Sequence, residues 1–373
     1  MGRWSYAAHA PADRAHDVQL RTVLAPRALV AEGGPMRRPL TLLLTTLGAL
    51  ALAWQHTALA RAAIHRDAPS TTGRAATRAG SDTVLWMEMR NVDLHINRKN
   101  AMRVRSLRGQ VLTKPGAVAW LDDPASFRIR ATSGVVALDG DAITSLLNEV
   151  AFNYPGAPIT NLRVTIENGS VVQRGTLHKG VALPFQMWSV PVLQPDGRLR
   201  LHPDRLKILG VNGLALMHAL GLHMDRMMDL GKAHGASVQG DDIYLDPLQI
   251  IPPPVVEGKL AAVRVEGAFL VQEFARTPDD SIFGTFVVAD SGSRNFVYFR
   301  GGSLRFGRLT MTDTDLLIHD VDERDPLDLY FAEYNRQLVA GHTGNLPNLG
   351  LRTWMVDYGK LETVSLEKTF SRR

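Results

Sequence analysis

The chain has no cysteine. That excludes disulfides, thiolate metal sites, a cysteine nucleophile and the acylated cysteine of a bacterial lipoprotein anchor. Either redox compartment tolerates such a chain, so the absence does not locate the protein. Catalytic signatures are missing too. There is no Gly-x-Ser-x-Gly nucleophile elbow, no Walker or dinucleotide glycine fingerprint and no His-Glu-x-x-His zinc motif. No catalytic role and no cofactor are expected. Strong charge of one sign is lacking as well. The formal charge is +5, and the first 60 residues hold six arginines against three acidic residues, which leaves +2 for the rest. So small a charge argues against a nucleic-acid partner and leaves room for peripheral contact with anionic lipid surfaces.

What is present begins with an address. Met36-Arg37-Arg38 opens a basic region, Leu40 to Trp54 is apolar, and Ala58-Leu59-Ala60 matches a small-x-small cleavage site. This predicts a signal peptide over 36–60, cleaved near Ala60, and a periplasmic or secreted protein. The alternative is an N-terminal membrane anchor, but the apolar run is short of the roughly 20 residues that span a bilayer. Residues 1–35 lack periodicity and precede a complete signal segment, so translation from Met36 is expected. Residues 61–82, rich in Ala, Arg, Ser and Thr, read as a disordered linker.

From residue 83 on, strands dominate. Thr83 to Asn97 reads as one long strand whose apolar set shifts face near Arg90-Asn91, the mark of a bulge. Val104 to Leu112 and Phe127 to Leu138 follow as strands. Asp141 is positioned to cap a helix carrying Ile143, Leu146, Leu147, Val150 and Ala151 at helical spacing. Asn168-Gly169 predicts a tight hairpin between Ile159–Glu167 and Val171–Leu177. Leu260 to Phe274 alternates as another long strand. The texture changes after Thr277: short Gly-punctuated strands, then an expected helix over Leu327–Leu338 with Pro326 in its first turn. Two domains are expected, 83–276 and a β-rich extension or subdomain at 277–373.

The segment Val211 to Leu230 is the most distinctive. Leu214, Leu216, Met217, Leu220, Leu222, Met224, Met227, Met228 and Leu230 occupy more than one helical face. Such a helix is deeply buried or lines something apolar.

The order of these elements resembles a known family. A strand leads into a helix opened by Asp139-Gly140-Asp141. Strands of the type Ile159-Thr-Asn-Leu-Arg-Val-Thr-Ile166 and Gly197-Arg-Leu-Arg-Leu-His-Pro203 follow. An apolar helix and a closing segment, Pro253 to Gly267, complete the set. This resembles the bacterial tubular lipid-binding (TULIP-like) periplasmic phospholipid-binding proteins, over about residues 83–274. The resemblance implies an α+β fold, a long, strongly curved antiparallel sheet wrapped around a long apolar helix, with C-terminal strands and a short helix added. It also implies a phospholipid or other acyl-chain ligand in the tunnel between. Leu214, Met217, Leu220, Met224, Met227 and Met228, with Leu146 and Val150, are then the expected ligand-binding residues, and methionine's flexible thioether suits the task.

The acidic stretch Asp313, Asp315, Asp320, Asp322, Glu323, Asp325 and Asp328 is the one other chemical candidate. Asp313, Asp315 and Asp320 are weak metal candidates, since the calcium-loop pattern needs a central glycine and a terminal glutamate that are absent. His218 and His223, five apart, do not share a helix face. The function expected is a binding protein for a lipid or other hydrophobic ligand, serving as a carrier between envelope membranes. The competing readings are a non-catalytic envelope or glycan-binding module, and a hydrolase using the acidic stretch.

Overall fold

The computed structural model describes residues 84–219, 222–286, 293–346 and 350–363, without the side chains of 216, 218, 362 and 363. The leader, signal segment and linker lie outside the described residues, as does Leu220. The fold is mostly β-sheet, with a strongly curled antiparallel half-barrel sheet. No helix among the described residues is long and apolar enough to cross a membrane.

The chain falls into three blocks. The first holds β1 (Leu85–His95), β2 (Ala101–Thr113), β3 (Ala119–Trp120), β4 (Phe127–Leu138) and helix α1 (Gly140–Leu146). The second holds β5 (Ile159–Glu167), β6 (Ser170–Lys179), β7 (Val181–Leu193), β8 (Leu199–Ile208) and β9 (Val211–Asn212). It continues through helices α2 (Gly213–Ala219) and α3 (Met224–Met227) to β10 (Ala236–Gln239) and β11 (Asp242–Leu245). The third runs through β12 (Val255–Glu257), β13 (Leu260–Glu266), β14 (Phe269–Phe274), β15 (Phe296–Phe306), β16 (Leu309–Asp320) and β17 (Leu327–Leu329). Helix α4 (Tyr334–Ala340), β18 (His342–Asn345) and β19 (Leu351–Met355) close it.

Among the described residues the strands form two sheets. The first has the order β13-β14-β4-β2-β1-β15-β16-β19-β18, with β12 beside β4, β17 beside β1 and β3 beside β15. The second has the order β10-β11-β8-β7-β6-β5, with β9 beside β8. The second sheet is therefore one contiguous insertion between β4 and β12. The inward faces of both sheets share a single hydrophobic core.

β15 pairs antiparallel with β1, Trp86 opposite Arg300 and Arg90 opposite Phe296. The strands beyond residue 277 thus continue the first sheet, and the described residues all fall in one compact unit. Asn91 is the hinge of β1. It holds a left-handed φ of 49°, which asparagine tolerates better than other side chains. The buried set passes there from Leu85, Met87 and Met89 to Val92 and Leu94. The neighbour on that edge changes at the same point, from antiparallel β15 to parallel β17.

Several expectations change. Val211–Leu230 is not one long helix. It divides into β9, the seven-residue α2 and the four-residue α3. His223 and Met228 are extended. The Met224 N–H donates to Asp241 Oδ1 at 3.0 Å, and the Asp225 N–H to the Gly240 carbonyl at 3.0 Å. The β10–β11 turn takes the hydrogen bonds that a continuous helix would have kept. Among the described residues no sheet wraps around a long helix. Leu260–Phe274 is a hairpin, because Gly267 turns the chain at a φ of 61°. Leu327–Leu338 splits into β17 and α4. The cap of α1 is Asp139, which accepts from the Ala142 N–H at 2.8 Å, rather than Asp141. α1 then continues as a π turn, Leu147–Ala151. Its Thr144 hydroxyl accepts from the Val164 N–H at 2.9 Å, and its Asn148 amide donates to the Leu162 carbonyl at 2.7 Å. Those side chains cover the open edge of β5, which would otherwise present unpaired backbone groups.

Candidate functional site

The inward face of the first sheet is not filled. A cavity of about 200 Å³ lies over β1, β2, β4 and β14. Its floor is Met89 and Leu94 of β1, Met102, Val104 and Leu107 of β2, Ile129, Val136 and Leu138 of β4, and Gln272 and Phe274 of β14. Strand register explains the grouping. Val104, Val136 and Gln272 stand side by side across three strands, as do Leu107, Gly134 and Phe274. Side chains in such rows point to the same face. Gly134 leaves the middle of its row bare. A Cβ there would come within 2.9 Å of the Ser106 carbonyl oxygen, closer than van der Waals contact permits.

Two segments enclose the cavity. One is the strap Ile251-Pro252-Pro253-Pro254, leading into β12. Proline has no N–H for a ladder, so the run crosses the sheet and pairing resumes only at Val255, opposite Arg128. The other is Tyr330-Phe331-Ala332, after β17. Fully buried Gln337 fixes it. Its Nε2 donates to the carbonyls of Asp328 (2.6 Å) and Val356 (2.9 Å), and its Oε1 accepts from the Tyr330 N–H (3.0 Å).

At the edge of the cavity His95 is held at both ring nitrogens. Nδ1 stands 2.8 Å from the Asn97 carbonyl and Nε2 stands 2.5 Å from Asp328 Oδ1. Its ring meets Tyr358 and Tyr330 at centroid distances of 4.8 and 5.7 Å. Burial pulls the imidazole pKa down. The Asp328 hydrogen bond, the Asn97 carbonyl and the charges of Asp328 and Asp93 outweigh it, and the net shift is upward from 6.5. Asp93 is itself paired with Arg103 through two hydrogen bonds of 2.8 and 2.7 Å.

The expected ligand-binding residues lie elsewhere. Met217, Met224 and Met228 are buried, and Leu214 and Met227 half-buried, against the second sheet. Met217, Met224, Met227 and Met228 border a void of about 20 Å³, room for about one water. There they pack against the second sheet. Leu146 is buried and Val150 half-buried on α1 and its π turn, away from the cavity lining. The lining of this cavity was not anticipated from the sequence, although one signal exists for it. Gln272 interrupts the apolar inward set Leu270, Gln272, Phe274 of β14.

The acidic stretch does not form one site: Asp313 and Asp315 stand apart from Asp320, Asp322 and Asp325. Asp313 is exposed, while Asp315 accepts from the Tyr298 hydroxyl at 3.0 Å and pairs with Arg300. Asp320 is buried at the far end of β16, five residues on from Asp315. Burial, with the nearby Asp357 carboxylate, raises the Asp320 pKa to about 7 against the opposing Asp322 N–H. Lys360 closes the cluster by pairing with Asp357 at 2.7 Å, Asp325 at 3.2 Å and Asp322 at 3.3 Å. No group of three or more His, Asp or Glu side chains among the described residues is placed to hold a metal ion. Comparison with family models, with curated proteins and with solved structures gave no match.

Proposed function

We propose that the protein binds the apolar part of a lipid-like molecule in the cavity of the first sheet, as an exported binding protein and carrier between envelope membranes. One observation carries the reading: an apolar space of about 200 Å³ inside a core whose methionine-lined region leaves only about 20 Å³. Protein interiors hold few voids larger than a water. At roughly 24 cal/mol per Å³, a space of that size kept closed and dry would cost up to about 5 kcal/mol. That is comparable to the net stability of many domains. An occupant offsets the cost, and each buried methylene contributes about 0.8 kcal/mol. An engineered cavity of about 150 Å³ already accepts benzene, so this one suits a short stretch of acyl chain. The reading keeps the apolar ligand implied by the tubular lipid-binding resemblance and moves it from the Met-rich segment to the first sheet. Export rests on the segment Met36–Ala60.

The test is to purify the exported protein free of detergent, extract it with organic solvent and compare its lipids by mass spectrometry with those of a control protein prepared alongside. Near-stoichiometric lipid is expected. Nothing above background, with no rise in Tm on adding short-chain phospholipid, overturns the reading.

A further inference from the structure

Gln272 is 4% exposed and lies within the apolar face of β14. Its side-chain amide makes no hydrogen bond to a described residue, yet it is not among the fully enclosed polar atoms left without a partner, so it opens onto the cavity it borders. A buried amide offers two donors and two acceptor lone pairs. An amide that opens onto an apolar-walled space is available to whatever enters it, and a ligand oxygen there meets a partner in place of water. A glutamine is also an uneconomical way to fill space between Val136 and Val263, its cross-strand neighbours; any aliphatic residue packs there without a polar atom.

The lining has two other polar side chains, His95 and the half-buried Tyr330. Both ring nitrogens of His95 are engaged, by Asn97 and Asp328. No Lys, Arg, Asp or Glu belongs to the lining. A charged head group inside it would be buried without a counter-charge, which is strongly unfavourable. A wholly apolar molecule would leave the Gln272 amide bare.

The geometry points to Gln272 as the residue that selects the ligand: the cavity takes an alkyl chain bearing one neutral hydrogen-bonding group, a hydroxyl or a carbonyl oxygen, which the Gln272 amide binds. This rests on the reading of the cavity as an apolar-ligand site and narrows the chemistry of its occupant. A free carboxylate is disfavoured. A fatty alcohol, or the carbonyl region of an ester- or amide-linked chain, fits.

The experiment measures binding of hexane and 1-hexanol to the full-length protein and to Gln272→Leu, by displacement of a fluorescent apolar probe. The quantity read is the ratio of the two affinities, since the chains differ in hydrophobicity. That ratio is expected to fall roughly tenfold in Gln272→Leu, the effect of one lost hydrogen bond of about 1.4 kcal/mol. Hexane binding is expected to hold or improve. Gln272→Met, unbranched like glutamine, takes the place of the leucine variant if that one fails to fold. An unchanged ratio means that solvent serves the amide and overturns the assignment. If neither chain binds the wild-type protein, the cavity reading itself fails and takes this inference with it.

Discussion

His95 Nε2 lies 2.5 Å from Asp328 Oδ1, across 233 residues of chain, where parallel β17 meets β1. The second carboxylate oxygen accepts from the Gly359 N–H at 2.7 Å. The pair joins the first strand of the sheet to the segment that closes the cavity.

Because the folded His95 pKa is raised above 6.5, its contribution to stability is fully present below about pH 6.5 and is lost as pH rises through the folded value. His95→Gln is expected to lose more stability at pH 5.5 than at pH 8.5. The difference arises because only the protonated ring makes a hydrogen bond to Asp328 in which donor and acceptor are both charged. Urea denaturation of both proteins at the two pH values measures it. An identical loss at both would show that the ring acts by packing alone.

Asp320 gives a second pH signature with its own window. Its folded pKa of about 7 stands above the ordinary 3.8. The folded state therefore binds the extra proton, and stability falls as pH rises from about 4 to about 7. Asp320→Asn keeps a neutral group at every pH. It is expected to resemble the wild type near pH 4 and to exceed it at pH 8 by up to about 4 kcal/mol. Thermal unfolding across that range reads the crossover.

Met217 is 3% exposed among the residues packed on the second sheet. Met217→Ala is expected to cost about 2–5 kcal/mol and to leave the lipid content of the folded protein unchanged. A loss of lipid in stably folded Met217→Ala would return the ligand to the Met-rich segment.

Val136 sits between Val104 and Gln272 on the cavity floor. Val136→Phe places a ring in the open space. Co-purified lipid is expected to fall to background, while the stability of lipid-free protein changes by no more than about 1–3 kcal/mol, the usual penalty of overpacking. Extraction and mass spectrometry on variant and wild type decide it.

Leu209 and Gly210 form the two-residue turn between β8 and β9, at φ values of 53° and 81°. Such a turn favours asparagine first and glycine second, yet leucine stands there 65% exposed. Leu209→Asn is expected to stabilise the protein by about 1 kcal/mol through relief of the left-handed penalty. A Tm at or below that of the wild type would contradict it.

Local features were legible where local chemistry dictates them. Asn168-Gly169 makes the tight turn between β5 and β6, both residues at positive φ. The change of face near Asn91 could be read from the alternation of Leu85, Met87 and Met89 against Val92 and Leu94. The Met-rich segment misled, because burial on several sides reads as a helical tunnel lining whether the cause is a ligand or close packing. Periodicity records how many faces are buried and not what buries them.

The candidate site was scarcely legible. Its lining comes from four strands, a proline strap and a turn more than 230 residues from β1 in sequence. Of these, only the misplaced polarity of Gln272 left a trace in the sequence.

By itself, then, the amino-acid sequence determined the strand-rich character, the tight turns and the absence of thiol chemistry, since each depends on residues close together or on composition. Tertiary structure alone decided that β15 lies beside β1, that 159–245 is an insertion, and that the first sheet keeps an open space while the second is filled. Strand neighbours are joined by backbone hydrogen bonds, which are nearly the same for every residue type. A cavity is what remains when distant side chains have packed, and no short stretch of sequence encodes that remainder.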